Sequence, residues 1–183
     1  MTNETPRVVA VARDGRHRFS KGCVEAIRAV AGLGVEGDAH FGSRVKHRSR
    51  VRQDPTQPNL RQVHLIGKEL LDEVNGKGFS VKAGELGENI LTVGLDLLAL
   101  PEGTLLEIGD QARLKVTGLR NPCSQIETFR PGLLAEVLHR SGEGRLLRRA
   151  GIMAVVLTGG PIRPGDPIMV RLPPLPHKVL DRV

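Results

Sequence analysis

The stretch TLLEIGDQARLKVTGL, residues 104–119, restricts the fold more than any other part of the chain. Residues 104–108 and the alternating run 112–119 flank Gly109-Asp110, so two half-buried strands are joined by a residue pair that reverses the backbone. This reads as a hairpin. RVVAVA at 7–12 is a β-branched run and RQVHLI at 61–66 alternates. IMAVVL at 152–157 and PIMVRL at 167–172 flank GGPIRPGD, whose Gly159, Gly160, Pro164 and Gly165 predict a second hairpin. Helical spacing is confined to residues 68–74, ending at Asn75-Gly76, and 131–139, ending before Ser141-Gly142. The expectation is a mainly β fold, a closed or nearly closed β-barrel with a few short helices.

The 183 residues, 39% of them hydrophobic and 26% charged, suffice for the core of one domain. That domain is expected over residues 1–172, with the proline-rich 173–183 as a tail that packs along the surface or frays. No apolar run approaches the roughly eighteen residues of a membrane helix, and MTNETPRVVAV lacks the parts of a secretion signal. A cytoplasmic protein with no membrane partner is expected. The two cysteines, Cys23 and Cys123, have no CxxC spacing, so they suggest neither a disulfide framework nor a zinc ribbon.

A net charge of +7 points to an anionic partner. Lys46, His47, Arg48, Arg50, Arg52 and Arg61 gather in a stretch that also holds Gly42, Pro55 and Pro58, which reads as a mobile loop, with its closing over a ligand left open. With no Trp, no Tyr and four Phe, the aromatic platforms that stack single-stranded bases are nearly absent. A small anionic ligand is therefore favoured over nucleic acid.

Three stretches carry candidate chemistry. In GVEGDAHFG, residues 34–42, glycines let the loop aim backbone N–H groups and His40 at an anionic oxygen, although a tight turn with Asp38 bonded to its own backbone accounts for much of the pattern. Glu36, Asp38, His40 and His64 are conceivable metal ligands, but HExxH and cysteine pairs are missing. In GELGEN, residues 84–89, Glu88 and Asn89 match the hydrogen-bonding edge of a pterin or purine, and a plain loop into a strand is the alternative. Cys123 follows Arg120 and the strand-ending Pro122 and precedes Ser124 and Gln125, an electropositive setting that suits a thiolate, while a small buried thiol is the alternative. Cys23, in KGCVEAIRAV, reads as an ordinary half-buried position.

In this order GVEGDAH, LGENIL, the IGD turn, RNPC and VLTGGPIRPGDPI resemble a stand-alone bacterial MOSC domain, the family named for the C-terminal domain of molybdenum cofactor sulfurase. The resemblance runs from about residue 8 to 172. It implies a strand-rich barrel with one cysteine in a basic cleft, and an association with the molybdenum cofactor, a pterin dithiolene carrying a phosphate. It also implies that Cys123 is either a carrier of persulfide sulfur or a molybdenum ligand, and that Asp38, His40, Glu88, Asn89 and Arg120 line the cofactor cleft. Some members act on N-hydroxylated compounds with reductase partners. The chain carries no appended reductase and no lysine in a recognisable pyridoxal-binding context, so a reductase or a cysteine desulfurase would be a separate protein. Residues 46–65 lack the glycine- and tyrosine-rich pattern associated with reductase-type relatives. VLTGGPIRPGD also resembles the hairpin of second-domain barrels in translation factors, so a basic nucleic-acid or ribosome-associated barrel without catalysis is the alternative.

Overall fold

A computed structural model describes residues 4–44, 54 and 56–183. Among these residues the main sheet runs β13 (Ile168–Arg171), β7 (Leu105–Ile108), β8 (Ala112–Leu119), β11 (Ile152–Thr158), β5 (Val63–Gly67), β6 (Ile90–Val93), β1 (Arg7–Arg13) and β2 (Gly22–Val24). Its neighbours are antiparallel except for the parallel pair β5 and β6. A smaller sheet holds β12 (Gly160–Ile162), β3 (Ile27–Val30) and β4 (Gly34–Val35), and β9 (Leu138–Arg140) pairs with β10 (Leu146–Arg148). The helices are α1 (Lys68–Gly76), α2 (Ser124–Phe129) and α3 (Leu133–Val137), with a 3-10 turn at Leu97–Ala99. The protein is mainly β with few helices, and none of the described helices is long and apolar enough to cross a membrane.

The hairpin expected at residues 104–119 forms as β7 and β8, with Leu106 opposite Leu114 and Ile108 opposite Ala112. Leu106, Ile108, Leu114 and Val116 point inward and are fully buried, while the turn uses Gly109 at φ +57°. Strands β5 and β6 are buried on both faces. Val63, Leu65 and Ile90 join the core enclosed by the curled sheet, and Ile66 and Leu91 join a second core against the helices. Leu71 and Val74 of α1, Ile126 of α2 and Leu133 and Val137 of α3 fill that second core. Helix α1 extends slightly beyond its expected range, and it stops where the Asn75 side chain bonds both backbone groups of Val81.

Three expectations are corrected. No sheet is closed into a barrel: β13 and β2 are edges, and β13 approaches β1 only through an isolated bridge between Arg7 and Pro167 and bonds such as Val8 N–H to the Asp166 carbonyl, 2.9 Å. The second hairpin does not form either. Residues 152–158 pair with β8 and β5, the chain then leaves as β12 on β3, and residues 168–171 return to β7. Cys23 is exposed on the edge strand β2 rather than half-buried, with its Sγ 3.4 Å from the Ala83 carbonyl oxygen.

The tail is tied to the body. Leu180 enters the main core, and Leu119 N–H donates to the Asp181 carbonyl at 2.8 Å. The basic positions Lys46, His47, Arg48, Arg50 and Arg52, and with them the expected mobility of their loop, lie outside the described residues.

Candidate functional site

A cleft of about 190 Å³ opens where β1 and β8 end and where β5 and β6 begin. Arg120 comes directly after β8, with its backbone N–H bonded to the Gly151 carbonyl at 3.0 Å. Strand β8 has already ended at Leu119, before Pro122, and Cys123 stands in extended conformation (φ −131°, ψ 169°) immediately before α2, which is anchored in the core by Ile126. Cys123 is partly exposed, and its sulfur lies 3.5 Å from Gln125 Oε1 and interacts with the Arg120 guanidinium. Arg120 is 8% exposed, and its Nη1 is buried without a hydrogen-bond partner. Burial disfavours its charge, while Cys123 and Glu88 act in the opposite direction. Its guanidinium also lies 5.9 Å from the Phe19 ring centre.

The opposite wall is built on Asp38, whose side chain is completely buried. Oδ2 accepts from Lys21 Nζ at 2.8 Å and from Asn89 Nδ2 at 2.9 Å, and Oδ1 lies 3.0 Å from the backbone N and 3.1 Å from Nδ1 of His40. The turn reading of GVEGDAH is the one seen: Asp38 bonds its own turn, and it also bonds the His40 ring. Burial alone would raise the Asp38 carboxyl, but the His40 hydrogen bond and the Lys21 charge outweigh it and hold the group well below the usual carboxylate range. Burial pushes Lys21 down, against the pull of Asp38.

The GELGEN loop buttresses this wall. Asn89 lines the cleft, but its amide is engaged internally: Oδ1 accepts from His64 N–H at 3.2 Å and Nδ2 also donates to the Ala12 carbonyl at 3.1 Å. Glu88 lies outside the lining and is 1% exposed. Its Oε1 accepts from Gly84 N–H at 2.5 Å, its Oε2 has no partner, and burial pushes its carboxyl up. Of the sequence candidates, His40, Asn89, Arg120 and Cys123 line the cleft, and Asp38 and Glu88 stand behind it.

Lys21, His17, His64 and Met153 also reach the lining; the sequence reading weighed His64 only as a conceivable metal ligand and gave the other three no place there. A buried lysine carries no local signal, because its carboxylate partner sits in a different loop. His64 is fully buried; desolvation, and then the charge of Arg120, keep it neutral, so its Nε2–H donates to the Ala150 carbonyl at 2.8 Å. Four cations, Arg18, Lys21, Arg61 and Arg120, line the cleft, and no carboxylate does among the described residues. No described group of three His, Cys, Asp or Glu side chains is arranged to hold a metal ion, so Glu36, Asp38, His40 and His64 do not form one centre.

The MOSC domain family model matches residues 36–169. Among solved structures, the chain is similar to the YuaD protein from Bacillus subtilis, with a TM-score of 0.75 and 24% identity over 93% of this chain and 98% of that one. It is also similar to YiiM from Geobacillus stearothermophilus, with a TM-score of 0.64 and 17% identity over 95% and 79% of the two chains. For YiiM from Escherichia coli the TM-score is 0.60 and the identity 19%, over 94% and 73%. These likenesses concern the fold. No protein with a curated description matches the chain.

Proposed function

Because the chain belongs to the MOSC domain family, we propose that its cleft binds the molybdenum cofactor, a phosphorylated pterin dithiolene, with Cys123 as the protein's sulfur ligand to the metal. The observation that carries this reading is Arg120, a buried guanidinium with an unpartnered Nη1 in the same cleft as a partly exposed thiol. A buried donor left unpaired costs about 1–3 kcal/mol, and an anion entering beside it offsets that cost. Lys21 is already matched by Asp38 and Arg18 by Asp14, whereas burial drives Glu88, the carboxyl acting on Arg120, toward its neutral form. Positive charge is therefore left over for a ligand at the Cys123 side.

The residues fit such a group. Arg120, with Arg18 and Arg61 on the lining, suits the phosphate and dithiolene charge, and Phe19, Leu86 and Met153 offer apolar wall to a pterin ring. A single protein sulfur suffices for a metal that arrives already chelated, and thiolate is soft enough to bind it. When bound, the cofactor supplies oxygen-atom transfer chemistry, on this reading toward N-hydroxylated compounds in the cytoplasm with electrons from a separate reductase. The chain's own part is to neutralise, orient and wall off.

The test is anaerobic reconstitution of wild type and Cys123→Ser with the cofactor, followed by molybdenum and pterin quantification and a sulfur-neighbour count by X-ray absorption. Both proteins are expected to take up pterin, and the variant to lose one sulfur neighbour at molybdenum. Arg120→Met is expected to weaken uptake roughly 10- to 100-fold, the worth of a charge-assisted hydrogen bond. A wild type that takes up no cofactor sinks the reading. If Cys123 instead acquires a persulfide from a cysteine desulfurase while the sulfur count at molybdenum is unchanged by Cys123→Ser, the residue is a sulfur carrier and not a ligand.

A further inference from the structure

We infer that His40 is the proton-exchanging residue of the cleft, with Asp38 as its positioning residue, and that it serves substrates whose oxygen must be protonated in order to leave. This rests on the reading of the cleft as a reaction site given above. A carboxylate can only accept, so the 3.1 Å contact with Asp38 Oδ1 places the hydrogen of a neutral His40 on Nδ1. Nε2 is then the atom free to take and give a proton. Asp38 cannot swing away, because Lys21 and Asn89 hold Oδ2 and the His40 backbone N–H holds Oδ1.

The surroundings favour exchange. The His40 side chain is 30% exposed, so its ring can be recharged from water, and the residue lines the same cleft as Cys123. His17 meets its ring edge-on at 5.7 Å and helps to fix the ring plane. Among the described residues the charged groups on the lining are cations, Arg18, Lys21, Arg61 and Arg120, and His64 is neutral. Cations lining the cleft favour an anionic leaving oxygen. For an N-hydroxylated compound the balance is R₂N–OH plus two protons and two electrons giving R₂NH and water. The electrons come from the separate reductase. One proton passes from Nε2 of the doubly protonated His40 ring to the departing oxygen as the N–O bond breaks and water leaves, the second proton reaches the nitrogen from solvent, and Nε2 is reprotonated from solvent.

Two measurements test this. Nitrogen-detected NMR of the protein without cofactor should show neutral His40 as the Nδ1–H tautomer, with a shift toward Nε2–H in Asp38→Asn if that variant folds. His40→Gln alters only a partly exposed ring and leaves Asp38 bonded to Lys21 and Asn89, so it serves as the fold-safe variant. In cofactor-loaded protein, His40→Gln should lower kcat by roughly 10²- to 10⁴-fold with little change in KM, and should remove one limb of the pH–rate profile. Added imidazole should restore part of the rate to His40→Gly. An Nε2–H tautomer in wild type, or an undiminished kcat in His40→Gln at every pH, overturns the inference and leaves cofactor binding standing. A wild type that binds no cofactor overturns the reading of the cleft and the catalytic half of this inference together, whatever the tautomer.

Discussion

Gly84→Ala is expected to lower the stability of the fold by about 3 kcal/mol, a fall in Tm of roughly 6 to 12 °C for a chain of this size. Gly84 has φ +80°, where a side chain is strained before any contact is considered. A Cβ there would run into the Lys21 carbonyl oxygen and lie 3.1 Å from the Ala12 Cβ. Neither neighbour can retreat cheaply. Lys21 N–H donates to the Gly84 carbonyl at 2.8 Å, Gly84 N–H donates to Glu88 Oε1 at 2.5 Å, and Ala12 is buried in the main sheet. The same displacement would move Lys21 on the cleft wall, so lost stability and weaker ligand uptake should appear together. Gly142→Ala is the control, since a Cβ there meets nothing within 4 Å, and it should stay within about 0.5 kcal/mol of wild type. Equal melting of Gly84→Ala and wild type would show that the loop does not pack against Lys21 as described.

What the sequence revealed follows the range over which each feature is encoded. The β7–β8 hairpin was legible because both strands and their turn are contiguous and one face is wet. The hairpin expected from residues 152–172 was not: its glycines and prolines are real turn residues, but they send the chain to β3, and no local pattern records that partner. In RQVHLI the polar residues mimic a solvent face. Gln62 is in fact buried with its amide between the Gly32 carbonyl and Val156 N–H, and His64 is buried on the Ala150 carbonyl, so β5 is covered on both sides. Strand closure into a barrel was over-read for a related reason. Regular short strands indicate a curled sheet, but whether its edges pair depends on residues far apart in the chain.

At the site, the contrast between the cysteines was half legible. Arg120 and Pro122 mark the Cys123 setting within a few residues, while the exposure of Cys23 follows from β2 being an edge, which its own sequence does not show. Glu88 and Asn89 were singled out for hydrogen-bonding edges that the structure spends largely on Gly84, His64, Ala12 and Asp38. Their chemistry acts through the wall: Asn89 steadies Asp38, and Asp38 steadies His40.

That wall has a charge pair at its centre, and Asp38→Asn is expected to cost about 3–5 kcal/mol, because it strands the Lys21 ammonium in a place 4% exposed. Burial already pushes Lys21 toward its neutral form, and the Asp38 carboxylate is the main charge opposing that push. Lys21→Met should cost less, about 2 kcal/mol, since Asp38 keeps the donors of Asn89 and His40. If the two residues act as one pair, the double variant will be more stable than the sum of the single losses allows, by about 2 kcal/mol. The effect also has a pH signature. The Asp38 carboxyl in the fold lies below its unfolded value, so its stabilising contribution is complete at neutral pH and fades as pH falls below the unfolded value of about 3.9 toward the lower folded one. Denaturant midpoints of wild type and Asp38→Asn should therefore lie far apart at neutral pH and draw together in acid. A gap that stays constant through that range, or a double variant equal to the sum of the singles, would mean that Lys21 is not held by Asp38 and that the support assigned to His40 lies elsewhere.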